Sequence, residues 1–231
     1  MQIHGLNKTT LLDYPGHVAA TIFTGGCNMR CPFCQNSGLV LSPQQQPEIS
    51  EEETLSFLEK RKGILEGVCI TGGEPTLQAD LENFIRRIRE MGYLIKLDTN
   101  GYRPGVLRRL LEQELLDYVA MDIKASRERY PIACGLPNVD LSLIEESVEL
   151  LKKSRIPYEF RTTVVKGIHS PDEFTAIGQW LQGCNAYYLQ SYRDSPQVMQ
   201  PGYGSFEPGM LEQMRELAAA YIPQTALRGV D

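Results

Sequence analysis

A chain of 231 residues, 42% apolar and 23% charged, has an ordinary globular composition and is long enough for one substantial core. Its formal net charge of −6 gives no general attraction to nucleic acid or anionic membranes, and no apolar run approaches the roughly 20 residues that span a bilayer. Six cysteines are too sparse for a disulfide-stapled scaffold, and the opening residues Met-Gln-Ile-His-Gly-Leu-Asn-Lys hold no secretory apolar core, so a reducing cytoplasm is expected.

In chain order, the first predicted strand covers 18–24 and runs into the loop Cys27-Asn28-Met29-Arg30-Cys31-Pro32-Phe33-Cys34. A helix follows over 50–62, opened by Ser50 with Glu53 placed to complete a capping box. The second strand is 68–71. The helix after it sets Leu81, Phe84, Ile85, Ile88 and Met91 at helical spacing, so one stripe faces a core. Strands at 93–98, 118–123, 158–165 and 186–190 then alternate with helices at 104–114, around Leu141 to Leu151, at 171–181 and at 208–220.

Strict alternation predicts an α/β fold with parallel strands and right-handed crossovers. Six βα units are fewer than the eight that close a full barrel, so an open, partial (βα)6 barrel is expected, with a flat doubly wound sheet as the alternative. The polar stretch 42–48 is too short to separate domains, which predicts one domain over 1–231.

The three cysteines are spaced C-x3-C-x2-C. Thiolates this close can converge on zinc, copper(I) or an iron–sulfur cluster. A structural zinc site needs a fourth ligand, yet His4, His17, His169, Cys69, Cys134 and Cys184 all stand singly in the sequence. Three ligands on a four-iron cluster would instead leave one iron open to a small molecule. The other distinctive groups end later strands: Gly72-Gly73-Glu74-Pro75, Asp98-Thr99-Asn100-Gly101, Asp122-Ile123-Lys124, Arg161 with Thr163, and Gln190. Parallel α/β folds bind ligands at those strand ends, although Gly-Gly and Asn-Gly are also plain turn chemistry.

The cysteine loop followed by Gly72-Gly73-Glu74-Pro75 resembles the radical S-adenosylmethionine (SAM) superfamily. With Asp13-Tyr14-Pro15-Gly16, Asp98-Thr99-Asn100-Gly101, Asp122-Ile123-Lys124 and Leu227-Arg228-Gly229, the resemblance covers the whole chain. It is closest to the glycyl-radical-enzyme activating proteins, in the group that activates anaerobic ribonucleoside-triphosphate reductase. That resemblance implies a [4Fe–4S] cluster on Cys27, Cys31 and Cys34 within the loop 25–36, with SAM on the open iron. It implies SAM contacts from Phe33, Gly72, Gly73, Glu74, Asp98, Asn100, Lys124 and Arg161, and a monovalent cation on Asp98, Thr99 and Asp122.

The reaction implied is reductive cleavage of SAM, with the resulting radical passed to a glycine of a partner enzyme. A flavodoxin or ferredoxin is the implied electron donor, and neither nucleic acid nor membrane is an expected partner. The chain has Gln35 where many relatives have histidine, and it lacks an inserted ferredoxin-like domain. Cys69, Cys134 and Cys184 are accordingly expected to be structural thiols. The stretch 187–192 offers no histidine for the SAM ribose. Two other readings stay open: action on a small molecule, and a zinc-stabilised binding module.

Overall fold

In the computed structural model, which describes residues 1–230, eight strands pair in unbroken chain order. They are β1 (Ile3–Thr10), β2 (Ala19–Thr24), β3 (Gly67–Gly72), β4 (Leu94–Thr99), β5 (Tyr118–Asp122), β6 (Tyr158–Val164), β7 (Tyr187–Ser191) and β8 (Thr225–Arg228). Only β1 runs antiparallel to its neighbour; every later pair is parallel. Each parallel crossover carries helix: α1 (Ser37–Leu41) and α2 (Glu51–Glu59), α3 (Leu81–Glu90), α4 (Pro104–Glu112), α5 (Tyr130–Cys134) and α6 (Leu141–Lys152), α7 (Pro171–Leu181), and α8 (Pro208–Ala219).

This order settles the choice between architectures. A doubly wound sheet reverses its strand order at a switch point, and here there is no reversal. The six βα units from β2 to α8 form an open, partial barrel, with β1 at one edge and β8 at the other.

The local reasons are ordinary. Ser50 caps α2 by accepting from Glu53 N at 3.1 Å. Ser170 and Glu173 complete a capping box on α7. The α3 stripe Leu81, Phe84, Ile85 and Ile88 is buried, and Val68, Cys69 and Ile70 of β3 have no exposed surface. Each fully buried large apolar side chain contributes about 1.5–3 kcal/mol relative to exposure. At the N-terminal end of the strands, Tyr14 fills the space over Gly67, where a Cβ would stand 2.8 Å from its ring. Thr21 Oγ1 donates to Asp13 Oδ2 at 2.5 Å, which ties the segment holding Tyr14 onto β2.

Four elements lie outside the predicted set. Strand β1 is an edge strand whose Asn7, Lys8 and Thr9 are exposed, so it shows no apolar alternation. Strand β8 has four residues, and α1 and α5 five each, too few to display a period.

Candidate active site

The residues expected to hold the cluster, SAM and a cation all line one cavity of about 200 Å³, formed at the carboxyl ends of β2 to β6, whereas Gln190 at the end of β7 does not. The cysteine loop forms one wall, Gly72-Gly73-Glu74 another, and Asp98, Thr99, Asn100, Asp122, Lys124 and Arg161 the floor. Met29, Gln35, Asn36, Val40, Thr71 and Thr163 complete the lining.

The cysteine loop is held from several sides. Arg30 N donates to Cys134 O at 2.9 Å, which docks the loop on the end of α5. Gly26 N donates to Leu39 O, and Glu74 N to Gly26 O, both at 2.8 Å. The stretch after β7 folds over the far side, with Met199 N on Cys34 O and Gln200 N on Pro32 O at 2.9 Å. No sequence signal marked that cover. Gly73 packs so closely that a Cβ would fall 1.9 Å from Gly26 O, and Gly72, at φ +116°, would place one 2.3 Å from Thr24 N. These glycines are therefore required by loop-on-loop packing, whatever else approaches their backbone.

Burial pushes the Cys27 thiol up to about 11 and the Cys31 thiol up to about 12. A thiolate here needs a metal centre in place of the proton, because ligation requires the deprotonated sulfur. Met29 N points at Cys27 Sγ at 3.4 Å and Asn100 Nδ2 at 3.9 Å, donors suited to a charged sulfur. A single zinc ion would need sulfurs about 3.8 Å apart, given Zn–S near 2.3 Å. Among the described residues, no three His, Cys, Asp or Glu side chains are grouped to hold one metal ion. Three thiols on one wall of a shared cavity fit a cluster in which each iron takes its own cysteine.

Glu74 is 1% exposed, and its carboxylate accepts from Thr76 N and Oγ1, from Thr99 Oγ1 at 2.7 Å and from Asn100 N at 2.7 Å. Burial raises its pKa above the usual carboxylate range despite those four donors. The side chain thus ties the end of β3 to the end of β4, and Asn100 carries the link onward through Asn28 Oδ1 at 2.8 Å.

Across the floor runs an alternating chain of charges. Lys96 pairs with Asp98 Oδ1; Arg161 Nη1 lies 3.2 Å from Asp98 Oδ2; Arg161 Nη2 lies 3.0 Å from Asp122 Oδ1; Lys124 Nζ lies 2.9 Å from Asp122 Oδ2. Burial alone would raise the Asp122 pKa, but Lys124 and Arg161 outweigh it and hold the carboxyl at about 2. Asp98 is likewise depressed, burial being outweighed by Arg161 and Lys96. Lys96 escaped the sequence reading because a lysine alternating along a strand looks solvent-facing; here it is 2% exposed, 5.9 Å over the Tyr118 ring.

His169, weighed from the sequence only as a lone zinc ligand, has a different role. Its Nδ1 accepts from Val165 N at 3.0 Å, which leaves the ring proton on Nε2, and Nε2 donates to the Lys124 carbonyl at 2.9 Å. The same ring meets Phe33 edge-on at 6.4 Å. Phe33 itself is 6% exposed, so it lines the cavity and belongs to the core at once. Farther round the barrel, Arg228 of β8 grips Glu159 of β6 through two bonds, 2.6 and 2.8 Å, and Tyr118 donates to the same carboxylate at 2.7 Å. Cys69, Cys134 and Cys184 are free thiols. Among the described residues, no helix is long and apolar enough to cross a membrane.

Known proteins fit this picture. Residues 21–180 match the profile described as the Radical SAM superfamily. A Methanocaldococcus jannaschii protein, provisionally named glycyl-radical enzyme activating enzyme, is 28% identical over 236 residues, covering 99% of this chain and 96% of its own. A Thermococcus kodakarensis protein, provisionally named GTP 3′,8-cyclase, is 32% identical over 149 residues, covering 63% of this chain and 47% of its own. Among solved structures, Streptococcus suis SuiB bound to precursor peptide SuiA superposes with a TM-score of 0.70 over 90% of this chain. This chain spans 48% of that one at 15% identity, so the likeness is one of fold.

Proposed function

This chain belongs to the radical SAM superfamily, whose members use a [4Fe–4S] cluster and SAM, and from that premise we propose that it installs a glycyl radical on a partner enzyme. The observation that carries the reading is the near full-length match to a relative named for glycyl-radical enzyme activation. We take the partner to be anaerobic ribonucleoside-triphosphate reductase, on the motifs that run from Asp13-Tyr14-Pro15-Gly16 to Leu227-Arg228-Gly229.

In this reading Cys27, Cys31 and Cys34 would hold the cluster, with SAM bound beside it. When bound, the cluster and SAM would supply one-electron reductive cleavage of SAM, and with it the means to take a hydrogen from the partner's glycine Cα. The chain's own side chains orient and enclose. Lys124 offers a point charge to the SAM carboxylate, and Asp98, whose two oxygens are taken by Lys96 and Arg161, fixes the guanidinium on the cavity floor. Glu74, fully engaged by its four donors, keeps the edge made by Gly72 and Gly73 in register with Asn100. Phe33 lines the cavity, and the cover after β7 braces the cysteine loop through Pro32 and Cys34. The unpaired edges of the barrel leave lateral room for a partner loop. The setting is cytoplasmic, with a flavodoxin or ferredoxin as electron donor.

The similarity to a relative named GTP 3′,8-cyclase favours a second reading, action on a small molecule. One experiment separates the two. The enzyme, reconstituted anaerobically, is given SAM, a reductant and either the reductase or a nucleoside triphosphate, and electron paramagnetic resonance and product formation are recorded. A glycyl doublet on the reductase is expected. Deoxyadenosine formation without a doublet would discard the reductase as partner, and deoxyadenosine released in step with a consumed nucleotide would establish the second reading.

A further inference from the structure

Asp98 and Asp122 stand near one another at the barrel mouth, on β4 and β5, and the family resemblance implies a monovalent cation held by them with Thr99. The side chains present leave no place for it. Arg161 lies opposite Asp122 in the strand register, and its guanidinium sits between the two carboxylates, 3.2 Å from Asp98 Oδ2 and 3.0 Å from Asp122 Oδ1. The other oxygen of each is engaged too, Asp98 Oδ1 by Lys96 and Asp122 Oδ2 by Lys124 at 2.9 Å. Thr99 Oγ1 donates to Glu74 at 2.7 Å and accepts from Gly101 N at 3.1 Å. An added cation would face three fixed positive charges in a poorly solvated site, where like charges repel strongly.

We propose that Arg161 is the site's own cation, a tethered guanidinium in the place an alkali ion would take, and that the enzyme needs no such ion. Guanidinium suits the task. It stays charged at any working pH, and its planar fork reaches two carboxylates at once, which an ammonium does less well. Its position is fixed by the backbone, because Asp122 and Arg161 are register partners on adjacent strands. Neutralising residue 161 while leaving both aspartates should therefore open a site for an inorganic cation. This inference does not depend on which enzyme is the partner.

The test compares cluster-free wild type, Arg161→Gln and Arg161→Lys in sodium, potassium and choline chloride at equal ionic strength. Wild type and Arg161→Lys should unfold at the same temperature in all three salts. Arg161→Gln should be stabilised by the alkali salts over choline, by about tenfold in its folding equilibrium when the ion stands at about ten times its dissociation constant. It should also broaden the sodium NMR line, which wild type should not. SAM affinity of the reconstituted wild type should be the same in choline as in sodium. A wild-type midpoint or SAM affinity that rises with sodium or potassium would overturn the proposal, as would a folded Arg161→Gln that binds no alkali ion. If Arg161→Gln fails to fold, the other two proteins still decide: an alkali response in either overturns the proposal, and none in both upholds it.

Discussion

At the barrel mouth Lys96, Arg161 and Lys124 face Asp98 and Asp122, three positive charges against two, while between β6 and β8 Arg228 faces Glu159 one to one. The second pair is closed. Both Glu159 oxygens are used, Tyr118 supplies a further bond, and the guanidinium stacks 3.4 Å over the Tyr188 ring. The first is left unbalanced, and Lys124 borders the cavity with donor capacity to spare. The same chemistry thus takes two forms: a neutral, saturated pair fastens the last strand, and a positive surplus borders the cavity.

The largest expected effect separates the metal site from both ion systems. Cys31→Ala should abolish the iron–sulfur absorbance and all SAM cleavage, while the cluster-free protein keeps its folding stability to within about 1–2 kcal/mol. Retained SAM cleavage would show that the cluster ligands are assigned wrongly.

Next comes the closed pair. Glu159→Gln leaves Arg228 without its counter-charge and should cost about 2–4 kcal/mol of folding stability, less than for a fully dry pair because Arg228 is 32% exposed. Burial pushes the Glu159 carboxyl up, but Arg228 and Tyr118 outweigh it and the net shift is downward. A carboxyl depressed in the folded state adds stability above its unfolded value of about 4.3, and that stability is lost as pH falls through the folded value. The wild-type midpoint should therefore drop on acidification below about pH 4, and Glu159→Gln should flatten that limb. An unchanged acid limb, followed by calorimetry, would mean the pair contributes nothing.

The smallest effect belongs to the open system. Lys124→Met should weaken SAM binding about 10- to 100-fold, the equivalent of one charge-assisted contact of about 1.5–3 kcal/mol. Iron content should stay at the wild-type level and the midpoint should move little, because Asp122 keeps Arg161. If stability fell as far as in Glu159→Gln, the contrast between the two systems would collapse.

Much of the site was legible beforehand because parallel sheets present their functional groups at one end, and Cys27, Gly72, Asp98 and Lys124 all lie at or just beyond strand ends. Lys96 was not legible. Its place inside the barrel depends on which face of β4 turns inward, and an isolated lysine carries no sign of that. The role of His169 was hidden for a related reason: its two partners, Val165 N and Lys124 O, are backbone groups that any sequence has. The cover after β7 lacks regular structure, so nothing in its composition foretold its bonds to Pro32 and Cys34.

By itself the sequence determined the alternation of strands and helices, the spacing of three thiols and the strand ends where polar groups gather. These are local properties, set by periodicity and by the reach of a short loop. Only the tertiary structure decided which charges meet. Arg161 lies 39 residues from Asp122 and 63 from Asp98, and it reaches both because the registers of β4, β5 and β6 bring them together. That register is a product of the whole sheet, which is why no local pattern showed a guanidinium between the two aspartates.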